Sequence, residues 1–132
     1  MRLETARRHA MSLPETSEEP HFEAASFRVR GKIFATVPPG GRCLRVLVDR
    51  DERRALVAED PSAFEDVIWG QRVVDDWVQV KLAAADRAEV CELLTEAWRR
   101  RAPKRVVADF ESGRRTKRPL TNARSAIPPV SA

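Results

Sequence analysis

Arg28, Arg30 and Lys32 alternate with Phe27, Val29 and Ile33 in the run FRVRGKIF, and Arg45, Trp77, Gln79 and Lys81 hold similar alternate positions in later Val-rich runs. A period of two puts alternate side chains on opposite faces of a strand. Phe27, Val29, Ile33, Ala35, Val37, Val46, Val48, Val78, Val80 and Leu82 should therefore face helices. The opposite face should display Arg28, Arg30, Lys32, Phe34, Arg45, Trp77, Gln79 and Lys81. Cations attract phosphates and aromatic rings stack on bases, so this face has the chemistry of a site for nucleic acid or another polyanion. The bland alternative is the solvated side of a two-faced antiparallel sheet, with arginines lying along exposed rings.

A second basic element is Arg114, Arg115, Lys117 and Arg118, followed by Pro119, which can contact phosphates with little sequence selectivity or serve as a solubilising appendage. His21 sits among Glu18, Glu19 and Glu23. It could act as an acid or base oriented by a carboxylate, but no nucleophile or oxyanion partner accompanies it, and a structural histidine closing a loop is the expected role. Asp49, Asp51, Glu52, Asp75 and Asp76 lack the dense spacing of a calcium loop, so no metal site is expected. The PPGG turn at Pro38 to Gly41 is followed by no Lys-Ser/Thr pair, which excludes a P-loop. Cys43 and Cys91 form no zinc or redox motif and read as free thiols in a reducing compartment. No catalytic constellation stands out, and neither an enzyme nor a cofactor is expected.

These residues need elements to position them. Leu3, Ala6, Ala10 and Leu13 recur at three and four residues, predicting a short amphipathic helix that ends before Pro14. The acidic, Pro-bounded stretch from Pro14 to Pro20 reads as a loop. From Ser26 the period changes to two, and Gly31 supplies a tight reversal, so Lys32 to Val37 should return as the partner strand. Cys43 to Val48 makes a third strand, and Asp49 to Ala58 a short helix stopped at Asp60-Pro61. Phe64 to Gly70 and Trp77 to Leu82 are two further strands. Asp86 with Glu89 resembles a capping box opening a helix whose apolar face is Val90, Leu93, Leu94, Ala97 and Trp98.

The charge is unevenly placed. Residues 1 to 98 hold 14 Lys and Arg against 18 Asp and Glu, a net −4, whereas residues 99 to 132 hold 10 against 2, a net +8. The body is mildly acidic and the tail supplies the whole positive balance. A domain over residues 1–111 and a disordered basic tail over 112–132 are expected. The charged N-terminus MRLETARRHAMSLPE lacks the apolar stretch of a secretory signal, and no run reaches membrane-spanning length, so a cytoplasmic setting without membrane contact is expected.

The chain also resembles the MmcQ/YjbR family of small uncharacterised bacterial proteins. The likeness rests on LPETSEEPHFE at Leu13 to Glu23, FRVRGKIFATV at Phe27 to Val37, the pair Trp69-Gly70, WVQVKL at Trp77 to Leu82 and LLTEAWRRRAPKR ending at Arg105. It implies an α+β fold, an antiparallel sheet of about five strands packed by an N-terminal and a C-terminal helix, similar to frataxin-like and secretion-chaperone-like arrangements. Members are often described as DNA-binding by fold analogy, which is an association and not a mechanism. The family commonly has Gly just before the second Trp, whereas here Asp75-Asp76 precede Trp77. The frataxin comparison raises iron, but the first helix carries Arg2, Arg7 and Arg8 against a single Glu4, which disfavours it. The leading expectation is a binding module for nucleic acid. A protein-interaction or chaperone-like domain, meeting a partner or a second copy of itself, is the alternative, and an enzyme using His21 is a weaker one.

Overall fold

The computed structural model describes residues 1–21 and 24–116. Two compact units divide the chain, Met1–Arg101 and a second from Ala102 onward. The first holds α1 (Leu3–Ser12), β1 (Thr16–His21), β2 (Ala24–Val29), β3 (Lys32–Val37), β4 (Cys43–Leu47), α2 (Arg50–Glu59), β5 (Phe64–Trp69), β6 (Arg72–Lys81) and α3 (Arg87–Arg101). The second contributes α4 (Lys104–Thr116). The expected division at residue 112 falls inside α4, and residues 117–132 of the expected tail lie outside the described residues. Among the described residues no helix is long and apolar enough to cross a membrane.

The fold is α+β. All strands join one antiparallel sheet in the order β1-β2-β3-β4-β6-β5. The sheet has six strands, not about five, because Thr16–His21 pairs with β2 and is no loop. Its acids and Pro20 hid it from a reading based on apolar alternation. As an outermost strand it needs a partner on one side only, and charges and proline protect such an edge from further pairing.

Helices cover one face. The fully buried side chains Phe27, Phe34, Leu44, Val46, Val78 and Val80 of the sheet lie in the core with Val90, Leu94 and Trp98 of α3. Trp98 also donates its indole N–H to the Pro14 carbonyl at 2.9 Å, which closes the α1–β1 connection over α3. Asp86 Oδ2 accepts from the Glu89 backbone N–H at 3.0 Å, and Asp49 Oδ1 accepts from that of Glu52 at 2.8 Å, so both helices start on a side-chain cap.

Two bulges shape the other face. The first lies in β3, where Phe27 pairs with Ala35 but Arg28 pairs with Ile33, leaving Phe34 as an extra residue. An inserted residue reverses the alternation beyond it. This corrects two placements: Phe34 is fully buried in the core, and Ile33 turns to the uncovered face. The second bulge lies in β6, where Val74, Asp75, Asp76 and Trp77 stand against the single Val67 of β5. Beyond it β5 and β6 continue as a two-stranded arm, reversing at Gly70-Gln71 with Gly70 at φ 65°.

Arg53 of α2 holds this bulge in place. Its side chain is buried, with Nη1 2.5 Å from Asp66 Oδ1, Nε 3.1 Å from the Asp75 carbonyl and Nη2 3.5 Å from Asp75 Oδ1. The Arg53→Met variant keeps the apolar stem but leaves these acceptors unpaired. Because Asp66 and Asp75 are partly solvated, the expected loss is about 2 kcal/mol rather than the full cost of a broken buried pair. Urea unfolding should show a lower midpoint at an unchanged slope; an unaltered midpoint would show that Arg53 does not hold the bulge.

Candidate functional site

The uncovered face of the sheet forms an open groove of about 1160 Å³. Its lining separates by strand. Arg28 of β2, Lys32 and Thr36 of β3 and Arg45 of β4 form one side, with Arg101 from the end of α3. Val67 and Trp69 of β5 and Val74 and Trp77 of β6 form the other. Among the described residues the lining also takes in Ala24, Gly31, Ile33, Pro38, Pro39 and His21, and none of these described lining residues is Asp or Glu.

The cations differ in how far they are neutralised. Arg28 donates Nε–H to Ser26 Oγ at 3.0 Å and stands 4.0 Å from Glu19. Arg45 donates to Gln79 Oε1 at 2.9 Å, and the Gln79 amide passes the chain on to Glu65 Oε2 at 2.6 Å. Arg101 donates Nε–H to the Ile33 carbonyl at 3.1 Å, which fixes its guanidinium on the β3 side. Among the described residues no carboxylate makes an ion pair with Lys32, Arg45 or Arg101. Their charge is therefore available to a ligand.

The expected site residues are only partly brought together. Arg28, Lys32, Arg45 and Trp77 line the groove. Arg30 does not: it occupies the β2–β3 turn at φ 51°, where it and Gly31 both adopt positive φ, and it pairs with Glu15, whose hydrogen bond raises the Arg30 pKa. Lys81 stands outside the lining, 3.8 Å from Glu65. Arg114 and Arg115 fall in the last turn of α4, and Lys117 and Arg118 lie outside the described residues.

Two groove residues escaped the sequence reading. Trp69 is 70% exposed and lines the arm side, and its place before the Gly70 turn, outside any alternating run, gives no sequence signal for a stacking surface. Arg101 ends a run of three arginines in the last turn of α3, a signal that was visible but belonged to a helix expected on the far side of the sheet. Arg100 of the same run stands 3.4 Å from Asp49 Oδ2 and 3.3 Å from Glu52 Oε1, tying α3 to α2.

His21 lies at the end of β1 and lines the same groove as Trp77, but the groove is open and encloses neither. Among the described residues no group of three or more His, Cys, Asp or Glu side chains is placed to hold a metal ion. The cysteines are free, and burial pushes the Cys91 thiol pKa up, which makes it a poor nucleophile.

A YjbR family model matches residues 11–100. The crystal structure of the Deinococcus radiodurans protein DR2400, which carries a DUF419 domain, aligns with a TM-score of 0.63 and 20% identity, over 74% of this chain and 75% of that one. No curated protein matches the chain.

The charge of the groove can be checked without any ligand. Trp98 is fully buried whereas Trp69 is largely exposed in the groove that the cations line, so iodide should quench tryptophan emission well and caesium poorly. The Arg28→Gln/Lys32→Gln double variant should narrow that difference. Equal quenching by the two ions in the unmodified protein would show that the face carries no net positive potential.

Proposed function

The chain belongs to the YjbR family, and on that footing we propose that it is a non-enzymatic binding module whose groove takes nucleic acid. One observation carries this reading: among the described residues the groove lining combines four cations and two tryptophans with no carboxylate. Phosphates are drawn to the first and bases can stack on the second. The first compact unit, Met1–Arg101, holds 17 Lys and Arg against 18 Asp and Glu and is close to neutral, so attraction has to be local, and short-range contacts in the groove must carry more of the binding than the long-range field. The basic segment from Arg114 to Arg118 adds non-specific phosphate contacts under this reading. The setting is taken as cytoplasmic, where nucleic acid is present and Cys43 and Cys91 stay reduced.

A second reading draws on the arm. Ile68 and Val73 pair across it and are 56% and 43% exposed beside Trp69, an apolar tip suited to a protein partner or a second copy of the chain. Sedimentation over a wide concentration range, with Ile68→Ser as the comparison, tests it; a monomer throughout, with no partner lost on substitution, removes it.

The nucleic-acid reading is tested by the salt dependence of binding to a fluorescein-labelled DNA strand. Each phosphate contact contributes a slope of about −0.7 in log K against log salt for a single strand. The Arg28→Gln/Lys32→Gln variant should therefore lower the slope by about 1.4 relative to the parent chain. No detectable binding at low ionic strength, or a slope unaltered by the double substitution, contradicts the assignment.

A further inference from the structure

Resting on the nucleic-acid reading, we infer that the groove is built for an unpaired strand, with bases against the β5–β6 arm and phosphates along β2, β3 and β4, and that it discriminates against duplex. The ground is the separation of its two sides. Every groove cation from the sheet lies on β2, β3 or β4, and Arg101 is held to the same side through Ile33. Both tryptophans lie on β5 and β6, with Val67 and Val74 between them.

From β3 across β4 to β6 is two strand spacings, about 10 Å. That is the order of a nucleotide's reach from its phosphate to the far edge of its base. A strand running along the groove can thus meet both sides at once, phosphates on one and ring faces on the other. A duplex cannot. It turns its phosphates outward and keeps its base faces stacked inside, so it would engage the cations and leave Trp69 and Trp77 uncovered. Stacking on aromatics is insensitive to base identity, since every base has a ring face, so little sequence preference is expected.

The bulge in β6 is what makes this division. It lets Trp77 and Trp69 share one face although four residues of β6 stand against one of β5 between them. Gln79 and Glu65 lie further along β6 and β5, where they hold Arg45 and keep the cationic side in position.

The test compares three labelled ligands of equal length on the full chain at one moderate salt concentration: oligothymidylate, its duplex with oligoadenylate, and a strand of abasic sites carrying the same phosphates. Oligothymidylate should bind at least fivefold tighter than the abasic strand, the size expected from one stacked base, and no more weakly than the duplex despite its smaller charge. Trp69→Ala should remove most of that preference while leaving abasic binding in place; Trp69 is exposed, so this variant should fold, and Trp69→Phe should restore part of the loss. Equal binding of thymidylate and abasic strands, or tighter binding of duplex, would overturn the single-strand inference and leave phosphate recognition standing. Failure of all three ligands to bind would overturn both.

Discussion

The buried guanidinium of Arg53 is the interaction on which the uncovered face depends. A long cationic side chain enters the interior only where acceptors surround it, and here Asp66 and the Asp75 carbonyl and carboxylate supply them. Those acceptors exist because β6 bulges. Had Asp75 stayed in a regular ladder, its carbonyl would have pointed at a neighbouring strand and not at α2. The helix and the bulge therefore stabilise each other, and the arm bearing Trp69 is aimed as a consequence. Asp75 holds Arg53 through its carboxylate and carbonyl, whereas Asp76 contributes its backbone carbonyl, which accepts the Val48 N–H at 3.0 Å.

Much of the fold was legible because local and tertiary signals agree in most segments. The period of two from Phe27, the Gly31 reversal, the Asp49 and Asp86 caps and the apolar stripe ending at Trp98 each indicated the element that forms. The failures have two physical sources. Alternation assigns a face only while a strand stays in register, and neither bulge leaves a mark in composition. Phe34 and Ile33 exchanged sides for that reason. β1 was missed because an edge strand protected by acids and proline carries no apolar alternation to read.

The site was legible in part for the same reason. Arg28 lies on the strand opposite the extra residue of β3, and Arg45 and Trp77 keep the regular β4–β6 pairing, so all three fall where alternation puts them, while Arg30 is drawn into the turn by Glu15. Arg101 could be placed only by packing, since nothing in a helical period says that a terminal arginine will reach the Ile33 carbonyl. Net charge was the poorest guide. A body with an excess of acids still gathers four cations in one groove, while acids elsewhere pair with Arg53, Arg100, Lys81 and Arg7 and Glu19 stands 4.0 Å from Arg28. Where charges sit governs what the face can bind, and their sum does not.

The most direct measurement is photocrosslinking to a short strand carrying 5-iododeoxyuridine, with the modified peptides sequenced by mass spectrometry. Such bases react with aromatic rings they touch. Adducts concentrated at Trp69 and Trp77, reduced by unlabelled single strand, are the predicted result. Adducts on the helical face or only in the segment beyond Arg101, with both tryptophan peptides unmodified, would contradict the claim that the groove is the binding surface.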